Sequence, residues 1–212
     1  MSLVQNNLVC IKLTCIDLLV YHSYKDMSDF KLTYYFPLTE NTAMSQTEHL
    51  PLSHIKVVEF SHMVMGPSAS AILADLGADV IKIEPIGGDN TRRLRGSGAG
   101  YFAMYNRNKR SICIDLKSKR GNRLAKQLIT GADVLIENFR PGAMDKLGFG
   151  YADLAEANEQ LIYCSTRGFL NGPYEHRTAL DEVAQMMVGL AFMTGLPNRP
   201  MRAGASVIDV MG

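Results

Sequence analysis

The stretch that decides the fold is IKVVEFSHMVMGPSASAILADLGADVIKIE, residues 55–84. Its two ends, residues 55–60 and 79–84, are apolar runs of the kind that favours strands. Between them, apolar side chains recur at the spacing of one helix face: Ala69, Ile72, Leu73 and Leu76. Pro67 suits the first turn of that helix, and Gly77 suits its end. The stretch therefore predicts a strand, a helix and a second strand, the unit from which parallel sheets are built.

The rest of the chain repeats this alternation. Further strands are predicted at residues 110–116, 133–136 and 161–165. Helices are predicted from Ser118, as the N-cap, to Gly131, and at residues 143–147, 152–159 and 183–191. The strands are nearly continuous apolar runs, which are typical of a sheet covered on both faces. We therefore predict an α/β fold, a Rossmann-like and mainly parallel sheet with helices on both faces.

Composition and charge narrow the class of protein. The 212 residues are 47% hydrophobic and 20% charged, which is typical of a globular protein with a sizeable core. A net charge of +1 argues against a protein that binds nucleic acid or an anionic membrane. No apolar run approaches the ~20 residues of a membrane span. The four cysteines form neither a zinc pattern nor a disulfide framework, so we expect a cytoplasmic protein without a metal, in which Cys113 and Cys164 are buried thiols.

Residues 1–43 differ from the remainder of the chain. They show no clean periodicity, and Met44 opens a short polar segment of the kind that begins a natural chain. We therefore expect residues 1–43 to be an extension outside the domain, either disordered or the result of a mis-assigned start, and residues 44–212 to form the domain. The alternative is a genuine extra hairpin, since residues 32–36 are β-prone.

The turn after the first predicted strand lacks the glycines of a dinucleotide-binding fold. Residues 61–67 contain no G-x-G-x-x-G motif, which disfavours a nicotinamide enzyme. The glycines of residues 95–100 lie in the wrong place, with no helix N-terminus expected behind them. Basic residues at 92–95 and 106–110 suit phosphate oxygens, although a solvated loop explains them equally well. His62 has no companion at metal-ligand spacing, so it predicts no metal site.

Two carboxylates are candidates for chemistry. Asp209 lies in an apolar, strand-like run, residues 205–212, and burying an ionised carboxylate is costly unless it is paired or used. Ligands of α/β proteins bind at strand ends, although a helix N-cap is the simpler role for this residue. Asp181 closes a T-x-x-D capping box, residues 178–181, that would open the last helix. Each carboxylate therefore has a structural alternative.

Several segments together carry a resemblance to a known family. They are residues 55–61 with 66–67, 73–84, 106–111 (NRNKRS), 137–142 (ENFRPG), 172–174 (GPY) and 207–209 (VID) with Gly212. In order and spacing they resemble the class III CoA-transferases, the family of formyl-CoA and carnitine CoA-transferases. The resemblance covers about residues 50–212 and implies the N-terminal part of that family's large domain.

In this family an aspartate at the position of Asp209 is the catalytic nucleophile. The resemblance implies that its carboxylate attacks an acyl-CoA to give a mixed anhydride, which the released thiolate converts to an aspartyl-CoA thioester. A free carboxylic acid then enters, and the steps run in reverse. Asp181 matches a catalytic carboxylate position near the reaction centre. The implied substrates are therefore an acyl-CoA, which carries coenzyme A, and a carboxylic acid.

The resemblance also implies residues that contact CoA. Met63, Val64 and Met65 match a loop that lines the CoA and acyl pocket, and Asn138 and Phe139 match a segment that meets CoA.

Four further residues match CoA-binding positions but have structural alternatives. Lys117 and Lys146 match positions near the nucleotide phosphates, or they are ordinary surface lysines. Asn108 and Arg110 belong to a motif typical of the family, or each only braces its loop.

Two alternatives to a CoA-transferase remain open. The racemase branch, with α-methylacyl-CoA racemase, shares the fold, but it carries a histidine at the position of Leu180. The family's second half, which its interlocked homodimers need, has no counterpart in this sequence. We therefore expect a fragment that is inactive by itself, and an inert CoA-binding fragment is the second alternative.

Overall fold

The computed structural model describes residues 10–12 and 50–212. Within these residues one six-stranded sheet forms the centre of the molecule. Its strands are β1 (Cys10–Lys12), β2 (Lys56–Glu59), β3 (Asp79–Glu84), β4 (Arg110–Cys113), β5 (Val134–Glu137) and β6 (Ile162–Ser165). Their order across the sheet is β1-β4-β3-β2-β5-β6. β2 to β6 run parallel to their neighbours, and β1 pairs antiparallel with β4.

The helices follow the strands in alternation. They are α1 (Met65–Asp75), α2 (Tyr101–Tyr105), α3 (Lys119–Thr130), α4 (Ala143–Lys146), α5 (Tyr151–Ala155), α6 (Asp181–Met187), α7 (Leu190–Thr194) and α8 (Val207–Met211). Two short 3₁₀ turns, Asn90–Arg93 and Gly96–Gly98, lie between β3 and α2. None of the helices in the described part of the chain is long and apolar enough to cross a membrane.

The sheet buries apolar side chains on both faces because successive strand residues point to opposite sides. Val57 belongs to a cluster with Ala74 of α1, whereas its neighbour Val58 belongs to a cluster with Ile129 of α3. Leu135 of β5 is likewise completely buried on the α3 side. The predicted α/β fold, with a mainly parallel sheet between layers of helices, is confirmed.

Several predicted helix boundaries are also confirmed. The hydroxyl of Ser118 accepts a hydrogen bond from the N–H of Gly121 at 3.0 Å and caps α3, which ends at Gly131. Gly77 follows α1 with a φ of +104°, a conformation that L side chains rarely adopt. A Cβ at that position would also lie 2.6 Å from the Cβ of Leu50. The chain therefore turns sharply from α1 into β3.

Other predicted elements differ from the structure. The expected helix at 183–191 is two helices, α6 and α7, because Gly189 takes a φ of +82° between them. The expected helix at 152–159 ends earlier, at Ala155. The run 205–212 forms the helix α8 instead of a strand, and α2 begins directly after the glycines of 95–100, where we expected no helix.

Further differences concern single residues and the start of the chain. Cys113 and Cys164 are only partly buried, because both strands lie outside the centre of the sheet. Residues 10–12 add an edge strand beside β4. The rest of residues 1–43, with the alternative hairpin at 32–36, lies outside the described residues, so their assignment to an extension stays a prediction.

Candidate active site

The loop after β2 and the segment after β5 meet at the carboxyl end of the sheet. The side chain of Asn138 accepts a hydrogen bond from the N–H of His62 at 3.0 Å. It also donates one to the carbonyl oxygen of His62 at 2.7 Å. The ring of Phe139 lies 6.0 Å from the imidazole, between ring centres. Asn138 and Phe139 thus contact the loop at residues 62–65 through His62, and their binding of CoA stays a prediction.

The three predicted pocket residues of this loop differ in exposure. Met63 is 37% exposed and takes a φ of +64°, while its N–H donates to the hydroxyl of Thr91 at 3.0 Å. Val64 is 1% exposed, and Met65 begins α1. A left-handed conformation at a non-glycine residue costs of order 1 kcal/mol and persists only where the surroundings enforce it. Met63 is therefore held in a defined position from which its side chain can meet a ligand.

A buried cluster of three charged residues, Glu59, Lys82 and Lys109, bonds the residues on either side of the loop at residues 62–65. Glu59, at the end of β2, accepts hydrogen bonds from the ammonium groups of Lys82 and Lys109, each at 2.8 Å. Lys82 also donates to the carbonyl oxygen of Ser61 at 2.6 Å, and Lys109 donates to that of Pro67 at 2.8 Å. The two lysines thus hold both ends of the loop.

The electrostatics of this cluster favour a charged glutamate. Burial by itself would raise the pKa of Glu59, but Lys82 and Lys109 outweigh it and lower the pKa to about 2. Sequence reasoning missed these three residues as a unit. The available signal was the presence of Glu59 and Lys82 in otherwise apolar strands, since buried charges require partners, whereas Lys109 precedes β4 and gave no such signal.

Asp209 lies in the first turn of α8, and its side chain is partly buried. Burial raises the pKa of this carboxyl group, and the negative charges of Asp181 and Glu182 raise it further, to about 6. Both sequence interpretations of its local structure are wrong, since the residue neither ends a strand nor caps a helix. α8 packs against α1, the helix that begins at Met65, and a Cβ at Gly212 would lie 3.0 Å from the Cε of Met65.

Asp181 lies beside Asp209 and is 4% exposed. Its Oδ1 atom accepts hydrogen bonds from the backbone N–H groups of Ile208, at 2.8 Å, and Asp209, at 3.2 Å. The predicted capping box is wrong, because Leu180 is the N-cap of α6 and no side chain bonds that helix end. Asp181 instead serves the first turn of α8, 27 residues later in the chain.

Two tyrosines of α2 complete the surroundings of Asp209. The hydroxyl of Tyr101 lies 3.4 Å from that of Ser206, at the start of α8. Burial raises the pKa of Tyr105, and the negative charges of Tyr101 and Asp209 raise it further. The sequence analysis assigned these two tyrosines no role, and the fold brings them to the surroundings of Asp209.

Lys117 and Lys146 line one cleft of about 430 Å³, between the start of α3 and α4. Other polar residues of its lining are Ser118, Lys119 and Asn122. Such a concentration of lysines suits phosphate groups. The two predicted phosphate-binding residues are therefore neighbours, and their binding of CoA stays a prediction.

Asn108 and Arg110 lie at the opposite end of the sheet. The Nδ2 of Asn108 donates to Asp75 at 2.8 Å, and the Nε of Arg110 donates to Asp79 at 2.9 Å. Asp79 and Arg110 are the first residues of β3 and β4, so these contacts lie at the amino end of the strands. This geometry favours the alternative in which both residues brace local structure.

Histidine, cysteine, aspartate and glutamate do not gather into a group of three or more that could hold a metal ion anywhere in residues 50–212.

Known proteins resemble this chain over most of its length. The chain is 43% identical to an acetyl-CoA:oxalate CoA-transferase of Acetobacter aceti, over 76% of this chain and 43% of that protein. It is 38% identical to a succinyl-CoA:glutarate CoA-transferase of Homo sapiens, over 76% of this chain and 38% of that one. The chain thus spans less than half the length of these relatives.

Solved structures give the same result. A CaiB/BaiF family protein of Brucella suis matches with a TM-score of 0.71 and 42% identity, over 76% of this chain and 45% of that one. The family model of CoA-transferase family III matches residues 52–212. The chain therefore belongs to CoA-transferase family III.

Proposed function

We propose that the complete protein is a CoA-transferase, which moves CoA between an acyl-CoA and a free carboxylic acid through an aspartyl-CoA thioester at Asp209. The observation that carries the proposal is the position of Asp209. A partly buried carboxylate with a raised pKa lies beside a second, buried carboxylate, on the helix α8, which packs against α1. Groups with pKa values shifted by burial and a like charge are candidates for catalysis.

The proposed reaction proceeds in four balanced steps. An ionised Asp209 oxygen attacks the thioester carbonyl carbon, the C–S bond breaks, and the thiolate leaves a mixed anhydride. The thiolate then attacks the aspartyl carbonyl, which gives aspartyl-CoA and releases the first carboxylate. The acceptor carboxylate attacks aspartyl-CoA to form a new anhydride and expel the thiolate. Finally the thiolate attacks the acceptor's acyl carbon, which yields the new acyl-CoA and regenerates Asp209.

The raised pKa of Asp209 suits a nucleophile. With a pKa of about 6, roughly ten ionised carboxylates exist for each protonated one at pH 7. A more basic carboxylate is also a better nucleophile, and partial burial removes part of the hydration shell that would blunt it. Partial burial and the charge of Asp181 thus raise the reactivity of the Asp209 carboxylate, while its pKa stays low enough for most molecules to be ionised at pH 7.

CoA is proposed to span two parts of the carboxyl end of the sheet. Met63 and Met65 supply an apolar wall for the acyl group and the pantetheine arm, beside Phe139. Lys117 and Lys146 face the phosphates in their shared cleft, since lysines bind phosphate as point charges. The apolar wall and the lysine cleft then hold the two ends of one long ligand.

The complete protein is proposed to be a cytoplasmic homodimer. Apolar side chains on the last three helices are exposed in this chain: Met187, Phe192, Met193 and Met211. Exposed apolar surface of this kind usually marks an interface. We propose that the part of the family fold beyond the matched region, together with a second copy, covers it, and that this chain by itself does not turn over.

Trapping the covalent intermediate tests the proposal. The product of the complete coding sequence is incubated with an acyl-CoA, stopped with hydroxylamine or borohydride, and digested for mass spectrometry. The expected result is a modified Asp209 that is absent from an Asp209→Asn variant. A modification on another residue, or none, contradicts the proposal. Exchange of the α-hydrogen for deuterium without an Asp209 adduct would instead indicate a racemase.

A further inference from the structure

Gln185 lies one helical turn after Asp181 on α6, and it is completely buried. Each polar atom of its side chain has a partner. Its Nε2 donates to Oδ2 of Asp181 and, at 3.2 Å, to the carbonyl oxygen of Ala205. Its Oε1 accepts from the N–H of Ala203 at 2.7 Å. The amide therefore ties α6 to the segment that leads into α8.

The partners require an amide at this position. Ala203 presents a donor, whereas Ala205 and Asp181 present acceptors, so the side chain must accept on one side and donate twice on the other. A glutamate at position 185 would place a carboxylate oxygen against the carbonyl oxygen of Ala205 and the carboxylate of Asp181, and it would have no hydrogen to donate to either of them. A methionine would remove all three hydrogen bonds and leave the N–H of Ala203 and the Oδ2 of Asp181 without the partner that Gln185 supplies, which is costly for buried groups, whereas the carbonyl oxygen of Ala205 would keep the N–H of Val207 at 2.9 Å.

Asp181 connects Gln185 to Asp209 by hydrogen bonds. Gln185 bonds one carboxylate oxygen of Asp181, and the other oxygen accepts from the N–H groups of Ile208 and Asp209. α8 has no cap of its own, because the side chain of Ser206 makes no capping bond. The first turn of α8, which carries the Asp209 carboxylate, is therefore held by a chain of hydrogen bonds that begins at Gln185.

We propose that Gln185 is a positioning residue for the Asp209 nucleophile, which it places by orienting Asp181 and by holding residues 203–205. The inference rests on the proposed function, since Asp209 needs an exact position only if it attacks a substrate. The competing explanation is that Gln185 merely joins two helices, in which case its loss would lower stability and leave the rate of the folded enzyme unchanged.

Kinetics of Gln185→Glu and Gln185→Met separate these explanations. A small misplacement of a reacting group costs up to about 100-fold in rate, so we expect kcat per folded molecule to fall by about 10- to 100-fold. KM for acyl-CoA should change less, because the proposed CoA contacts lie elsewhere. Gln127→Glu and Gln127→Met, on the exposed side of α3, make the same changes away from the site and should keep wild-type kcat.

The amount of aspartyl adduct formed in one turnover is measured in parallel. If the unaltered enzyme forms no adduct at Asp209, the proposed function fails. If it forms the adduct and both Gln185 variants form it equally fast per folded molecule, only the positioning role fails. Should neither variant fold, native-state hydrogen exchange of the unaltered protein decides. Protected amides at Ile208 and Asp209 support the inference, and amides that exchange as in an open chain overturn it.

Discussion

Replacing Asp209 with asparagine is expected to stabilise the protein at neutral pH while it abolishes transfer. The carboxyl group has a pKa of about 6 in the folded protein, against an ordinary value of 3.8. Burial and the charges of Asp181 and Glu182 cause this difference, and they act against the ionised form. An asparagine of the same shape carries no charge, so it avoids that cost.

The size and pH range of the effect follow from the pKa. Because the folded pKa is raised, the unfolded chain releases its proton first, and stability is lost as the pH rises from about 4 through about 6. A difference of about 2 units corresponds to about 3 kcal/mol at most. Asp209 is only partly buried, so solvent screening lowers the expected gain to about 1–2 kcal/mol at pH 7.5. At pH 4 the gain should largely vanish.

Urea denaturation at pH 4 and at pH 7.5 measures this difference. The free energy of unfolding of Asp209→Asn is compared with that of the unaltered protein at each pH. Asp153→Asn makes the same chemical change at an exposed position of α5 and serves as the matched control. If Asp209→Asn gains no more stability at pH 7.5 than at pH 4, relative to this control, the strained carboxylate on which the mechanism depends does not exist.

Three other predictions follow from the same geometry. The rate of adduct formation should rise about tenfold per pH unit below pH 6 and level off above it, because only ionised Asp209 attacks; a rate that is flat from pH 5 to 8 would contradict this. Glu59→Gln should lower the free energy of unfolding by about 3–5 kcal/mol, because it removes the buried carboxylate that Lys82 and Lys109 share and leaves Lys82 with Asp89 alone, at 3.3 Å, as its carboxylate partner; a loss below about 1 kcal/mol in urea denaturation would show that the cluster is not a buried ion pair. Lys117→Ala and Lys146→Ala should each weaken CoA binding severalfold in calorimetry. Arg110→Ala should change the affinity by less than about twofold, since Arg110 pairs with Asp79 at the amino end of the strands. Equal losses of affinity for the three variants would refute the proposal that CoA binds only at the carboxyl end of the sheet.

The fold was predictable because it depends on local periodicity. Strands such as β5 are nearly continuous apolar runs, and α3 has a clear N-cap at Ser118 and a glycine at its end. These patterns depend only on residues close together in the sequence, so they can be recognised without knowledge of the tertiary structure. Gly189 shows the limit of this reasoning, since the apolar spacing continues across it while its left-handed conformation breaks the helix.

The local structure of Asp209 was not predictable for a different reason. Residues 205–212 form an apolar run too short for periodicity to distinguish a strand from a helix. What favours the helix is the side chain of Asp181, whose oxygen accepts the first N–H groups of α8 from 27 residues away in sequence. The capping box predicted from the T-x-x-D motif is wrong, because the carboxylate of Asp181 bonds the first turn of α8 and not its own helix end.

The placement of Asn108 and Arg110 shows how far a family resemblance extends. The resemblance includes the segment at residues 106–111, and the buried ammonium group of Lys109 in this segment donates a hydrogen bond to the carbonyl oxygen of Pro67, near the start of α1. The residues on either side point instead to Asp75 and Asp79. Alternating side chains of one short motif therefore serve different parts of the sheet, a division that spacing in the sequence does not reveal.

The surroundings of Glu59 and Asp209 shift the pKa values of these two carboxylates in opposite directions, and this contrast supports the proposed mechanism. Glu59 is completely buried, yet two lysines lower its pKa to about 2, so it stays charged and pairs with the lysines that bond Ser61 and Pro67 at the two ends of the loop. Asp209 has no such cationic partners, and burial together with neighbouring negative charges raises its pKa to about 6. An ionised carboxylate in such surroundings costs stability. The same argument makes Asp209→Asn informative, because it should remove the cost and the reaction together.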